Sequence, residues 1–459
     1  MSGHAQVSLS RLEEIAGGAH VDTGAEAAAA HEVCAARPSV VISPENAEQI
    51  GGILRFAAGE KLAVIPAGGR TKLGIGSPPA RYDIALDLSR MNRVLAYDPH
   101  DLTLGVEPGV RIADLLATLA EKKQFLPLAV AFADRATVGG IVAANSSSPL
   151  RYAAGAVRDF CLGMEFVTGE GKQAKSGGRV VKNVTGYDLH KALIGSLGTL
   201  AVITRVNFRT FPAPPAQGMF IASFSSSEGS FEYCRAISHS VLMPQMVEVA
   251  DPGAARFVFS GKAAKWVAPA EWRVVVSAAG PPAVVDRSSR ELGRMASAYK
   301  AVDFVSVRDA EESAIFTGLC EFPRLVLEAA PGAAIFRISV LPTATPALLN
   351  ELSEIAKRHG IALATLTRAS GIVYAAFLPQ EVGRIIPNPL PGTVAEVFRA
   401  CNQPETQASA MLEWCPTELK TSPDAVWGPS RPDFALMRRV KNSFDPQGVL
   451  APGRFAGGI

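Results

Sequence analysis

The sequence predicts an α+β fold in two differently textured parts, on three observations. Strand and helix periodicities alternate as far as Phe208, a proline run (Phe211-Pro212-Ala213-Pro214-Pro215) interrupts them, and strand–helix–strand groups recur beyond it.

In the first part, Ser43-Pro44-Glu45 reads as a helix start: an N-cap hydroxyl, a proline at the first helical position and an acid in the first turn. Ala47, Ile50, Ile53, Leu54 and Ala57 follow at helical spacing. The run Leu62-Ala63-Val64-Ile65 reads as a buried strand that enters Pro66-Ala67-Gly68-Gly69-Arg70-Thr71-Lys72-Leu73-Gly74-Ile75-Gly76. A short strand at 84–88, an alternating strand through Leu102, Leu104 and Val106, and a helix with Ile112, Leu115, Leu116 and Leu119 on one face come next. Gly169-Glu170-Gly171 reads as a hairpin turn, and 201–208 as a strand. In the second part, 218–250 and 271–307 give strand, helix, strand patterns and 333–377 a strand, a helix near Leu348 to Arg358 and two further strands, loosely repeated but without residue-level identity. Leu436, Met437, Val440 and Phe444 set a final helix before Asp445-Pro446-Gln447-Gly448.

The 459 residues carry 45 Lys and Arg against 43 Asp and Glu, a net charge of +2, which argues against a nucleic-acid binder working through bulk charge. With 48% hydrophobic and 19% charged residues the chain can bury large cores, and its length exceeds the roughly 250–300 residues at which single cores stop growing. The six cysteines form no CxxC pair, which excludes a zinc ribbon or a cysteine-ligated iron–sulfur cluster on this chain. With no basic and apolar leader and no long apolar run, the expected setting is cytoplasmic, reaching the inner face of a membrane only through partners, with no direct insertion.

Three glycine clusters stand out: 66–76, 136–145 and 182–200. Glycine removes the Cβ that would keep an anion from backbone N–H groups, so a strand entering such a loop suits phosphate, although a Gly-Gly pair also serves an ordinary tight turn. Neither a GxxxxGK[ST] nor a GxGxxG pattern occurs here.

Pro66-Ala67-Gly68-Gly69-Arg70-Thr71, Ala136-Thr137-Val138-Gly139-Gly140 with Asn145, Lys182-Asn183-Val184-Thr185-Gly186-Tyr187-Asp188-Leu189 and Gly195-Ser196-Leu197-Gly198-Thr199-Leu200 resemble the FAD-binding domain of the vanillyl-alcohol oxidase / p-cresol methylhydroxylase (PCMH) superfamily. Within it, VRDF at 157–160, KNVTGYDL at 182–189 and the ending MRRVKNSFDPQGVLAPGRF resemble the FAD-binding (E) subunit of bacterial glycolate oxidase. The resemblance covers 38–215 and 425–459 well and the middle weakly. It implies a PCMH-type two-subdomain FAD-binding domain at 38–215 after an N-terminal extension at 1–37, an inserted α+β cap of antiparallel sheet flanked by helices at 216–415, and a segment at 416–459 that returns to the FAD domain.

It also implies that residues 67–72 bind the FAD pyrophosphate, that Gly139, Gly140 and Asn145 line the flavin and ribityl region, and that Gly198 and Ile203 hold the adenine side. Pro66, Gly76, Pro127, Ala136, Thr137, Ala143, Gly155, Asn183 and Leu200 complete the expected cofactor set. The first loop offers Arg70 where some relatives tether flavin through His or Cys, so the FAD is expected to be non-covalent. Lys182 is the cation expected beside the flavin, against its alternative as a surface lysine.

Oxidation of a 2-hydroxy acid needs a hydride acceptor and a base. The HxGDGNxH pattern of metal-dependent relatives is missing and the seven histidines show no ligand spacing, so no metal is expected. His190 and Tyr187 are the candidates for catalysis, each with a structural alternative. Ala451 replaces the asparagine usual before Pro452-Gly453. The implied activity is flavin-mediated oxidation of glycolate or a similar acid, with a second flavoprotein holding the complete acid site and an iron–sulfur subunit taking electrons. A stand-alone dehydrogenase and an assembly scaffold are the alternatives.

Overall fold

The computed structural model describes residues 8–180, 182, 186–259, 271–379, 388–429 and 431–459. Its first layer is a sheet of β1 (Val21–Asp22), β2 (Val40–Ile42), β3 (Val64–Ala67) and β4 (Ile84–Asp87) in the order β1-β2-β4-β3, with β2 and β3 parallel to β4. The helix Ala47–Gly59 crosses from β2 to β3 and buries Ile50, Ile53, Leu54 and Ala57 beneath them. It begins later than Ser43-Pro44 suggested: the cap is Asn46, whose extended backbone lets its side chain accept the Gln49 N–H at 2.9 Å. Residues 8–37, from the segment expected as an N-terminal extension, join this layer. The helix Leu9–Ala16 sets Leu12 and Ala16 into the same core, and β1 pairs with β2.

The second layer is an antiparallel sheet of β5 (Val94–Asp98), β6 (Thr103–Val106), β8 (Cys161–Thr168), β9 (Gln173–Gly177) and β10 (Ala201–Arg209), in the order β5-β6-β10-β8-β9. The turn 169–171 closes the β8–β9 hairpin. The short strands β7 (Gln124–Phe125) and β11 (Phe211–Pro212) pair with each other, so the proline run starts as part of the fold and only then crosses to the next domain.

That domain is one antiparallel sheet of eight strands, β12 (Ala216–Phe224), β13 (Met246–Ala250), β14 (Trp272–Gly280), β15 (Asp303–Val307), β16 (Ala334–Ser339), β17 (Ala362–Arg368), β18 (Ile372–Leu378) and β19 (Ser409–Trp414), in the order β15-β12-β14-β13-β17-β18-β16-β19. The order resolves the loose repeat. β12–β15 and β16–β19 are two β-α-β-β-α-β units whose second strands, β13 and β17, pair at the centre. Their crossover helices (Ser227–Ser238, Pro282–Ala298, Thr345–Arg358 and Leu390–Cys401) pack on one face of the sheet. The helices Pro252–Val258 and Asp309–Ala329 pack on the other, which also meets the first domain.

The final helix, Phe434–Phe444, packs Val440 and Phe444 on the second layer while Leu436 stays exposed. After it the chain runs beside β3: Val64 N–H donates to the Val449 carbonyl at 2.8 Å, and Ala451 N–H donates to the Val64 carbonyl at 2.9 Å. Asp445 fixes this return, accepting from the Val449 N–H at 3.0 Å, the Leu450 N–H at 2.8 Å and Lys441 Nζ at 2.6 Å. Lys441 also donates to the Thr199 carbonyl at 2.7 Å. Asp445→Asn leaves Lys441 a buried cation without its anion, and should lower unfolding stability by about 3–5 kcal/mol in a denaturant titration.

Candidate flavin site at the domain junction

The loop after β3 and the segment before the helix Val138–Ala144 press together and line a cleft open to solvent. Their closeness explains the glycines. A Cβ on Gly68 would lie 2.2 Å from Thr137 Oγ1, and one on Gly69 would lie 1.7 Å from the Arg135 carbonyl oxygen. The N–H groups of Gly68, Arg70, Thr71 and Lys72 meet no protein acceptor among the described residues. The carbonyls just beyond are occupied from behind: Arg454 Nη2 donates to those of Leu73 and Ile75, and Lys420 Nζ to those of Gly74 and Gly76. Two buried cations thus hold the loop with its carbonyls turned inward, and Arg454 Nη1 is buried without a partner.

At the domain junction lies a charged cluster from β13 and β16–β19. Arg337 Nη1 donates to the Asn145 carbonyl at 2.7 Å and its Nε lies 3.7 Å from Glu413 Oε1. Arg368 bonds Glu248 at 3.0 Å and the Ser147 carbonyl at 3.2 Å, with its guanidinium 5.3 Å from the Tyr374 ring centre. From the loop, Lys72 Nζ reaches in, 5.5 Å from the Phe132 ring centre and 5.6 Å from that of Trp414. Burial lowers the Lys72 ammonium to about 8, against the pull of Glu413 and Glu321. Burial also raises Glu413, and raises Glu248 to about 7 despite Arg368.

Residues 38–177 match the family described as FAD binding domain, and residues 213–375 with 429–455 match FAD linked oxidases, C-terminal domain. The chain belongs to the FAD-linked oxidases. It is 24% identical to glycolate oxidase subunit GlcD of Bacillus subtilis over 91% of this chain and 88% of that protein. To subunit GlcE of Escherichia coli it is 35% identical over 35% of this chain and 45% of that protein. It is 33% identical to a D-2-hydroxyglutarate dehydrogenase of Stutzerimonas stutzeri, spanning 37% of that protein. Its fold is that of p-cresol methylhydroxylase, with a TM-score of 0.77 at 16% identity, covering 97% of this chain and 95% of that one.

The cleft of this FAD-linked oxidase fits its cofactor: free loop amides suit a pyrophosphate, and apolar walls from Ile65, Leu88, Val202 and Ile203 suit rings. Of the expected cofactor residues, Pro66, Ala67, Gly68, Gly69, Arg70, Thr71, Lys72, Thr137, Gly139, Gly140, Ala143, Gly198 and Ile203 line it. Ala136 and Leu200 are buried beside lining residues, and Gly76, at φ +95°, backs onto the Arg454 carbonyl. Asn145 is the left-handed C-cap of the helix Val138–Ala144; its side chain lies against Gly195, and its backbone carbonyl accepts from Arg337 of the cap. Pro127 is buried after β7, Gly155 packs on Asp159, and Asn183 lies outside the described residues.

The second glycine cluster is not a strand-linked loop. Gly139 and Gly140 are helical, and the Val138 and Gly139 N–H groups are spent on the Val110 and Pro108 carbonyls, so this segment supplies a close wall while the first loop supplies donors. The expected catalytic residues are not gathered at the cleft. Lys182 is exposed and Tyr187 is 90% exposed. His190 is buried behind the β8–β9 hairpin, its Nδ1 3.0 Å from Ser176 Oγ, which occupies it structurally. The charged cluster was missed because its members are single residues on separate strands with no motif joining them; so were Leu197 and Arg454 on the cleft wall. Among the described residues no group of His, Cys, Asp and Glu could hold a metal ion, and no helix is long and apolar enough to cross a membrane.

Lys72→Met keeps the packing between the two rings but removes the ammonium. A charged hydrogen bond contributes about 1.5–3 kcal/mol, so FAD affinity should fall about 10- to 100-fold in a fluorescence titration. Since the Lys72 ammonium deprotonates at about 8, wild-type affinity should decline as pH rises through that value, and Lys72→Met should lack the decline.

Proposed function

We propose that the chain is the flavoprotein subunit of a glycolate-dehydrogenase-type complex and oxidises a short 2-hydroxy acid at its own cap. The observation that carries this is the junction cluster: Lys72, Arg151, Arg337 and Arg368 lie together and outnumber the buried carboxyls Glu248 and Glu413 among them, leaving a positive field at the cleft. A carboxylate substrate suits that field, and the relatives named glycolate oxidase subunits and D-2-hydroxyglutarate dehydrogenase support it. Bound FAD, held non-covalently, would supply the hydride acceptor; Arg337 and Lys72 would orient the acid, and the packed cap would keep water out.

Because the cap brings its own charged cluster to the junction, we assign the chemistry to this chain rather than to a second flavoprotein. The partner role rests on the relatives named as subunits; an iron–sulfur protein as the electron acceptor rests on the sequence resemblance to the glycolate oxidase subunit. Under anaerobic conditions glycolate or D-lactate should bleach the bound flavin of the isolated chain, and adding the partner subunits should speed reoxidation by an external acceptor. Bleaching only in the presence of the partner would move the acid site to the partner.

A further inference from the structure

We propose that Glu413, on β19, is the proton acceptor of this oxidation, an assignment that rests on the hydroxy-acid reading above. Its side chain is 2% exposed, with one oxygen 3.7 Å from Arg337 Nε and the other, Oε2, buried without a hydrogen-bond partner. Its neighbour Trp414 lies under the Lys72 ammonium, the Glu413 charge acts on Lys72, and Lys72 lines the FAD cleft, so the carboxyl stands beside the Lys72 side of the cleft.

Other candidates are engaged elsewhere. Glu321 Oε2 accepts the Phe132 N–H at 2.8 Å. Asp251 accepts from Ala254 N–H at 2.6 Å and Thr365 Oγ1 at 2.8 Å. Glu248 has a free oxygen too, but Arg368 holds the other at 3.0 Å, and the carboxylates that act on Lys72 are Glu413 and Glu321. His31, His190 and His359 face Asp87, Ser176 and Glu396. The groups facing Glu413 are Lys72 from the loop, Arg337 from β16, Arg368 from β17 and Tyr374 from β18.

In the step, the substrate's C–H bond breaks and its hydrogen leaves with both electrons to FAD. The O–H bond breaks, its proton passes to Glu413 Oε2, and the carbon–oxygen double bond forms, so the 2-hydroxy acid is oxidised to the 2-oxo acid as FAD is reduced. Burial strengthens Glu413 as a base, while the cations beside it keep the carboxylate form available.

The test compares full-length, FAD-loaded wild type with Glu413→Gln by two readouts: anaerobic flavin reduction by glycolate or D-lactate, and the flavin spectral shift on titration with oxalate, an unreactive dianion. Loss of a general base should slow reduction about 10²- to 10⁴-fold and remove the rise of rate with pH. Oxalate should bind Glu413→Gln at least as tightly, since one negative charge has gone. Reduction within about threefold of wild type, or a loss of oxalate binding that matches the loss of rate, overturns the assignment. If Glu413→Gln fails to retain FAD, Glu413→Asp decides: slowed reduction with oxalate affinity kept supports the base, and an unchanged rate overturns it. A wild type that no 2-hydroxy acid reduces overturns the hydroxy-acid reading and this assignment together, whereas a fast Glu413→Gln overturns this assignment alone.

Discussion

Gly69→Ala should yield a colourless protein. The added Cβ would stand 1.7 Å from the backbone oxygen of Arg135, and because both sides of the contact are main chain no rotamer change relieves it. The phosphate loop must lift from the 135–137 segment, which displaces the free N–H groups at Gly68 and Arg70–Lys72. Overpacking of this kind costs about 1–3 kcal/mol, and with the donors also misplaced FAD affinity should fall by about 100-fold or more. Gly74→Ala is the control: a Cβ there meets nothing within 4 Å, and flavin content should stay at the wild-type level. Flavin absorbance per protein after purification, with a titration of added FAD, reads both variants.

Arg368→Met should be the most destabilising change in the cap. Arg368 pairs with Glu248 across the seam of the two repeats and also ties the cap to the Ser147 carbonyl. Removing it strands a carboxyl with no exposed surface, a loss of about 3–5 kcal/mol. Glu248 is already raised from the ordinary 4.5 to about 7, so the folded state holds its proton more tightly than the unfolded chain and stability falls as pH rises from 4.5 to 7. Without Arg368 the carboxyl rises further, and the deficit of Arg368→Met should be larger at pH 8 than at pH 5. Glu248→Gln with Arg368→Met should recover much of the loss. Urea titrations at the two pH values give both comparisons.

Much of the first domain was legible because its signals are local. The helix over 47–59, the strand entering 66–76 and the 169–171 turn each lie in one continuous stretch. The helix start was misplaced because Ser43-Pro44 and Asn46 are both plausible caps, and only the packing of Ile50 and Ile53 selects the second. The strand–helix–strand repeats were visible, but their pairing through β13 and β17 is a long-range choice that periodicity does not encode. The same limit explains the site. Loop 67–72 announces itself by composition, whereas Arg337, Arg368 and Glu413 look like ordinary strand residues until the sheet sets them side by side. Tyr187 and His190 drew attention through a nearby motif, yet one projects into solvent and the other braces a hairpin.

If FAD in this cleft meets an anionic substrate beside the cationic cluster of the cap, acids should reduce it and a neutral diol should not. Anaerobic titration of the FAD-loaded chain with glycolate, D-lactate and the neutral diol ethylene glycol, following the flavin's visible band, tests it most directly. Bleaching by at least one 2-hydroxy acid and none by ethylene glycol is expected; bleaching by the diol as readily as by the acids, or by none of the three, would overturn the substrate assignment.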